Sequence, residues 1–375
     1  MKNPFTLGII HPEDNFCDRE KETSELMTFA RGGTNVVLSS PRRYGKSSLM
    51  KRVQGELEKE NIITAYADLF PISSEKELVA KLASAIFKGI GKGADPRSLG
   101  ERIKGFFKLF TPSIDINPDG YSITAKFDKT PQTELLIEDV LEGLHRYVKN
   151  YKLVACIVLD EFQEITELPE AKKIEGTLRS YMQHHGEISY FFVGSRRRIL
   201  SDMFNDKRRP FYKSSVFYTL DKIAEIDFSA YISDLFEKTG KRCSLENATL
   251  IYNKVEGYPY YVQKLSLFAW NATDKECSDR IIEEAFERML EAEAVEFEGL
   301  WDGFTLSQKI LLKAISIEPT LTPYSREYME RHQLSVGGTQ SSVKILTKRD
   351  MIEKGKDKIF CLTDPILAKW LRGQR

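Results

Sequence analysis

The stretch Lys152–Phe162, KLVACIVLDEF, is apolar almost without interruption and ends in two acids. A strand written this way has no polar face for water, so it belongs inside a parallel sheet covered by helices on both sides. Other stretches suit the same sheet. Asn35–Ser39 and 188–195 (ISYFFVGS) are apolar runs of strand length, 61–70 (NIITAYADLF) is β-branched and aromatic, and 215–220 (SVFYTL) is a weaker fifth. Helical patterns separate them at 46–60, 73–90, 132–149 and 170–184, the second opened by Ser73 and Ser74 as candidate caps. Alternating strands and helices predict an α/β domain. Residues 113–127 alternate polar and apolar around Asn117-Pro118-Asp119-Gly120, which predicts an inserted hairpin. Residues 1–34 read as a mixed lead-in.

Beyond residue 221 the strand signal stops. Residues 222–300 carry helical periodicity broken at EGYPYY (256–261). Residues 305–375 hold three short helical patterns and then MIEKGKDKIFCLT (351–363), a hairpin with Lys-Gly-Lys-Asp at its tip. The expected domains are therefore 1–221, an α/β core; 222–304, a helical domain; and 305–375, a small third domain.

Composition narrows the function. Formal net charge is zero, so no whole-chain field draws this protein to nucleic acid or membrane. Within that balance, residues 305–375 hold thirteen Lys and Arg against seven Asp and Glu, an excess of +6 that leaves −6 on the remainder. Five widely spaced cysteines (17, 156, 243, 277, 361) form no C-x-x-C pair, which argues against a disulfide framework or a zinc site and fits a reducing compartment. The first residues hold no long apolar core of a signal peptide, and no stretch approaches the length of a membrane span. The expectation is a cytoplasmic protein without membrane contact. The histidines (11, 145, 184, 185, 332) lack metal-ligand spacing on a helix, and Cys156 falls in an apolar strand as a packing residue.

The chemistry lies in SSPRRYGKSSLM, residues 39–50. A phosphate-binding loop, G-x-x-x-x-G-K-[ST], follows a strand and opens a helix, and its backbone N–H groups converge on phosphate. Gly45, Lys46 and Ser47 fill the end of that pattern; Ser40 stands where the first glycine is usual. Lys46 is the cation for the phosphates, and the Ser47 hydroxyl a ligand for Mg²⁺. The second half of such a site is a carboxylate at the end of a neighbouring strand. In IVLDEFQEI, Asp160 is placed for the metal's water shell and Glu161 for the attacking water. Arg42 and Arg43 either touch phosphate or face water.

With both halves in order, the chain resembles the archaeal-type ATPases of the STAND branch of AAA+ proteins. FCDREKETSEL (16–26) is similar to that family's lead-in, with Asp18 for its usual glycine. SSPRRYGKSSLM and IVLDEFQ resemble its nucleotide motifs, FFVGSRRRIL (191–200) its sensor segment, GYPYYVQKLS (257–266) its helical lid, and residues 305–375 its C-terminal winged helix. The resemblance implies a P-loop NTPase of AAA+-like fold, with a parallel sheet, a helical lid and a winged helix. It implies ATP or ADP with Mg²⁺ as cofactors, the loop Ser40, Pro41, Arg42, Arg43, Tyr44, Gly45, Lys46, Ser47 and Ser48 around the phosphates, and Ser47 and Asp160 on the metal. Ser195 or Arg196 would sense the γ-phosphate, and Arg19 and Pro259 would lie near the base or ribose. Arg208 or Arg209 would be a finger for a neighbouring subunit, the alternative being a solvated basic loop. Three functions stay open: an ATP-driven switch that couples nucleotide state to domain rearrangement or assembly with itself or a protein partner, a DNA-associated ATPase that reads duplex through Gln340, Ser341, Lys344, Lys348 and the wing lysines 354, 356 and 358, and a nucleotide-binding module without turnover.

Overall fold

The computed structural model describes residues 2–10, 16–92, 98–117, 120–126, 132–355 and 357–373. The expected hairpin tip at Pro118 and Asp119, His11 and the wing's Lys356 lie outside them. By its internal contacts the chain divides into two compact units, Ile9–Asp221 and Met1–Gly8 with Lys222–Arg375.

The first unit is built on five parallel strands, β1 (Val36–Ser39), β2 (Ile63–Asp68), β5 (Ala155–Asp160), β6 (Ile188–Gly194) and β7 (Val216–Thr219), in the order β2-β5-β6-β1-β7. β3 (Thr111–Asn117) and β4 (Gly120–Lys126) form the separate antiparallel hairpin. Every residue of β1, β5 and β6 is buried, as their sequences require, whereas the edge strand β7 is largely exposed.

The two faces of the sheet bury alternate residues. Val36, Leu38, Cys156, Val158, Phe191 and Val193 pack under α1 (Glu20–Arg31) and α2 (Lys46–Lys59), through Leu26, Ala30, Leu49, Met50 and Val53. Val37, Ile157, Leu159, Tyr190 and Phe192 face the opposite layer, made by α3 (Glu75–Gly91), α4 (Leu99–Ile103), α5 (Thr133–Tyr151), α6 (Ala171–Met182) and α7 (Arg197–Asn205). Ser74 caps α3, its side chain accepting from Glu77 N–H. The lead-in is not featureless: α1 lies within it. β1 leads to β2 on one side of itself and has β7 on the other, so the crevice beside its C-terminal end is where ligands bind in open parallel sheets.

The second unit is helical. It contains α8 (Glu225–Lys238), α9 (Leu245–Lys254), α10 (Pro259–Ala272) and α11 (Asp279–Asp302), followed by α12 (Leu306–Ile317), α13 (Arg326–Arg331), α14 (Val336–Lys348), a hairpin of β8 (Ile352–Lys354) and β9 (Phe360–Leu362), and α15 (Pro365–Gly373). Residues 2–8 belong here too, with Phe5 against Phe236 at 5.6 Å between ring centroids. Only Gly303, Phe304 and Thr305 separate α11 from α12, and Thr305 with Gln308 forms a capping box. Trp370 of α15 packs on Phe297 and Trp301 of α11 at 5.7 and 6.3 Å between centroids.

Candidate nucleotide site

The loop between β1 and α2 turns on two residues with left-handed backbone, Arg43 (φ 62°) and Gly45 (φ 86°). A Cβ at Gly45 would meet nothing within 4 Å, so glycine is required there by conformation rather than by space. Ser40 is not among the positive-φ residues and is fully buried, its hydroxyl donating to Pro41 O at 3.3 Å. A serine therefore fits the place of the first glycine without backbone strain.

Lys46 starts α2 and is 6% exposed. Its Nζ donates to Ser40 O at 3.1 Å and Pro41 O at 2.9 Å. Burial drops its pKa from 10.5 to about 8, opposed by Glu161 and Asp160 and reinforced by Arg42 and Arg197. The next residue, Ser47, donates from Oγ to Asp160 Oδ2 at 2.8 Å. Asp160 ends β5, and its other oxygen, Oδ1, accepts from Glu161 N–H at 3.0 Å.

Glu161 takes a left-handed conformation (φ 52°) as the chain leaves β5. Its carboxylate accepts from Ser195 Oγ, at 3.1 Å to Oε2, and from Gln163 Nε2. β6 lies between β1 and β5, so the residue after its end, Ser195, falls between the loop lysine and the acid pair. Gln163 is 1% exposed and its Oε1 has no hydrogen-bond partner. A Cβ at Gly194 would stand 2.0 Å from that oxygen, so Gly194 lets Gln163 pass beneath Glu161.

Three participants were assigned no role from the sequence, although Gln163 and Arg197 fall within the motifs IVLDEFQ and FFVGSRRRIL. Tyr66 of β2 donates from its hydroxyl to Asp160 Oδ2, the oxygen that Ser47 also uses, and Lys51 Nζ stands 3.5 Å from its ring centroid. Gln163 is the second. Arg197 is the third: it opens α7 and lies within electrostatic reach of Lys46. Arg196 turns away to Glu167 at 3.2 Å and Glu164 at 3.9 Å.

The other expected residues divide by place. Pro41 and Ser48 are buried in the loop and first turn, and Ser48 Oγ accepts from Ile10 N–H at 3.1 Å; Arg42 and Arg43 are exposed and Tyr44 is half-buried. Arg19 is buried (φ 74°), with its guanidinium on Glu22 and on Asp221 O. Arg209 is committed within the chain, its Nε and Nη2 donating to the two carboxylate oxygens of the fully buried Glu175. Arg208 is exposed, held only to Asp206 among its described contacts, at 2.9 Å. Pro259 is the first residue of α10, in the other unit. Among the described residues no cluster of three or more His, Cys, Asp or Glu is arranged to hold a metal ion, and no helix is long and apolar enough to cross a membrane.

Two family models match this chain. Residues 16–265 match an ATPase domain predominantly from Archaea, and residues 295–373 a probable winged helix domain. A comparison with curated proteins finds no match. Among solved structures, a Walker-type ATPase of Pyrococcus abyssi superposes with a TM-score of 0.73 at 16% identity, covering 98% of this chain and 99% of that one. The ORC2 protein of Aeropyrum pernix, in ADPNP–ADP complexes, gives 0.60 at 15% identity over 96% of both chains. The ORC1 protein of the same organism, in complex with DNA, gives 0.51 at 13% identity over 97% of this chain and 94% of that one. Identities this low speak for the fold alone.

Proposed function

This chain belongs to the ATPase family found predominantly in Archaea, and on that premise we propose that residues 9–221 bind Mg·ATP in the loop 40–48 and hydrolyse it slowly, as the switch of a STAND-type signalling ATPase. The observation that carries this reading is Lys46. Its ammonium is buried against two carbonyl oxygens and held far below its ordinary pKa, with both acids acting only at a distance. A polyphosphate supplies the anion that such a cation favours, in a loop whose left-handed turns orient backbone N–H groups for it.

The donors suit Mg²⁺, which takes hard oxygen ligands. Ser47 would hold it directly and Asp160 through water, the two oxygens being 2.8 Å apart in this structure. When bound, the ion neutralises charge on the β- and γ-phosphates. Tyr66 holds Asp160 in orientation, and Gln163 and Ser195 hold Glu161, the residue that orients the attacking water. Arg197 takes the γ-phosphate sensor role in place of Arg196, whose partners lie elsewhere. Arg19 serves the base or ribose. Arg208 is the remaining candidate for a finger offered to a neighbouring copy, since Arg209 is bound to Glu175.

Phosphate release tests the reading. Glu161→Gln keeps the side chain's shape and its donors, so nucleotide binding stays and turnover falls by roughly two orders of magnitude, the effect of losing a positioned base. Equal release from both proteins would remove Glu161 from its role.

A second reading, duplex DNA bound by the winged helix, has its own support. α14 exposes Gln340, Ser341, Lys344 and Lys348 on one face, and the adjacent hairpin exposes Lys354 and Lys358. That is the helix-and-wing arrangement a winged helix offers to a groove and its phosphates. The ORC1 relative in complex with DNA favours the same reading. Its mark is affinity that falls steeply with salt; duplex binding that is absent at low salt excludes it.

A further inference from the structure

Two loops of the helical unit run side by side. Arg242, after α8, pairs in parallel with Glu276, after α10: Arg242 N–H donates to Lys275 O and Cys277 N–H to Arg242 O, each at 2.8 Å. The next residue on each loop is a cysteine, Cys243 and Cys277, exposed by only 2% and 1%. Their side chains influence each other's ionisation, and the Cys243 thiol donates to Ser244 O at 3.7 Å. The backbone beside each is pinned, with Ser233 Oγ donating to Cys243 O and Asn247 Nδ2 to Cys277 O, both at 2.7 Å. Each cysteine directly precedes the serine that caps the following helix: Ser244 opens α9 and Ser278 opens α11.

We propose that Cys243 and Cys277 are a redox modification site, a dithiol that a low-molecular-weight disulfide converts into a Cys243–Cys277 bond joining the N-terminus of α9 to that of α11. This inference is independent of the nucleotide reading. Cys277 is the attacking group. It stands before a helix of 24 residues, whose positive end favours a thiolate. Its neighbours Cys243 and Thr273 hold its pKa below the ordinary thiol value against the effect of burial, while Cys277 and burial push Cys243 up. The Cys277 thiolate attacks one sulfur of the small disulfide, and that S–S bond breaks as the first small thiolate leaves. Cys243 then gives its proton to that thiolate and attacks Cys277 Sγ, and the second small thiolate departs. Two protein thiols are oxidised and one small disulfide is reduced to two thiols. Burial makes the exchange wait for local opening of the loops, so it is slow. Cys156, inside the sheet with its thiol pushed up to about 12 by burial, serves as the inert comparison.

The test incubates the full chain with oxidised glutathione or with reductant, then denatures, alkylates and maps it by mass spectrometry. The expected result is a cross-linked peptide joining 243 and 277, Cys156 alkylated in both samples, and a melting temperature higher by several degrees after oxidation, reversed by reductant. Cys243→Ser and Cys277→Ser should each lose the cross-link and the thermal shift, and the wild-type peptide map decides alone if either variant fails to fold. Both cysteines alkylated after oxidation, a stable mixed disulfide with glutathione at either one, or a cross-link without thermal shift would overturn the proposal.

Discussion

Lys46 is disfavoured by its own fold. A pKa lowered from 10.5 to about 8 corresponds to about 3 kcal/mol against keeping this ammonium charged in the ligand-free protein. The sign follows from linkage. Between pH 8 and 10.5 the unfolded chain keeps the proton and the folded chain has released it, so stability rises with pH across that window. Lys46→Met should remove this rise and melt a few degrees higher at neutral pH, while losing the thermal shift that Mg·ATP gives the wild type; a variant that melts lower at neutral pH would refute the account of the buried cation. Tyr66 allows a second prediction. Tyr66→Phe keeps the ring under Lys51 and deletes the hydroxyl on Asp160. Nucleotide binding without metal should be unchanged, while the Mg²⁺ concentration for half-maximal binding rises several-fold, measured with a fluorescent ADP; equal Mg²⁺ dependence would leave Tyr66 a packing residue. The places of Lys46, Ser47, Asp160 and Glu161 were legible in the sequence because they are fixed by position in a strand-loop-helix or at a strand end. Tyr66, Gln163 and Arg197 were not, because what they touch depends on register and on neighbours far along the chain.

At the scale of elements, the strands were read closely because burial on both faces leaves an unbroken apolar run. α1 and α7 were missed. EKETSELMTFAR buries only Thr23, Leu26 and Ala30, and α7, which does bury Leu200, Met203 and Phe204 on one face, has only 9 residues and follows closely on an apolar strand. The segment 290–304 has large apolar residues that a flexible tether would lack, and its reason is visible here: α11 continues to Asp302 and receives Trp370 of α15. Alongside runs a polar link. Tyr261, two residues after Pro259, donates to Asp364 Oδ2 at 2.6 Å, and Asp364 Oδ1 accepts from Ile366 and Leu367 N–H at the start of α15. Glu293, 2% exposed, is paired with Lys264 beside it. Burial holds the Asp364 pKa above its ordinary value, so its charged form weighs against folding and that cost disappears as pH falls below the folded pKa. Tyr261→Phe takes the donor from a buried carboxylate and should destabilise this unit by about 1–3 kcal/mol, read as an earlier unfolding transition in denaturant. An unchanged midpoint would mean that Asp364 finds another donor.

For the whole molecule, net charge conceals a division. The basic excess of residues 305–375 against an acidic remainder is open both to a duplex and to attraction within the chain, and the latter is screened by salt at distances beyond about 10 Å. Fold class was legible because strand and helix signals change at residue 221, which is also where the contacts divide the chain. Which ligand moves such a molecule was not legible, because a ligand shifts a conformational equilibrium only by its differential affinity for the two forms, and one sequence holds no such difference. Everything proposed for the site presumes that a triphosphate enters the loop on Lys46. Calorimetric titration of the full chain and of Lys46→Ala with Mg·ATP tests that directly. One saturable site is expected in the wild type, and an affinity lowered at least tenfold in a variant that remains folded by circular dichroism. Equal affinity of the two proteins, or no binding by the wild type, would contradict this expectation.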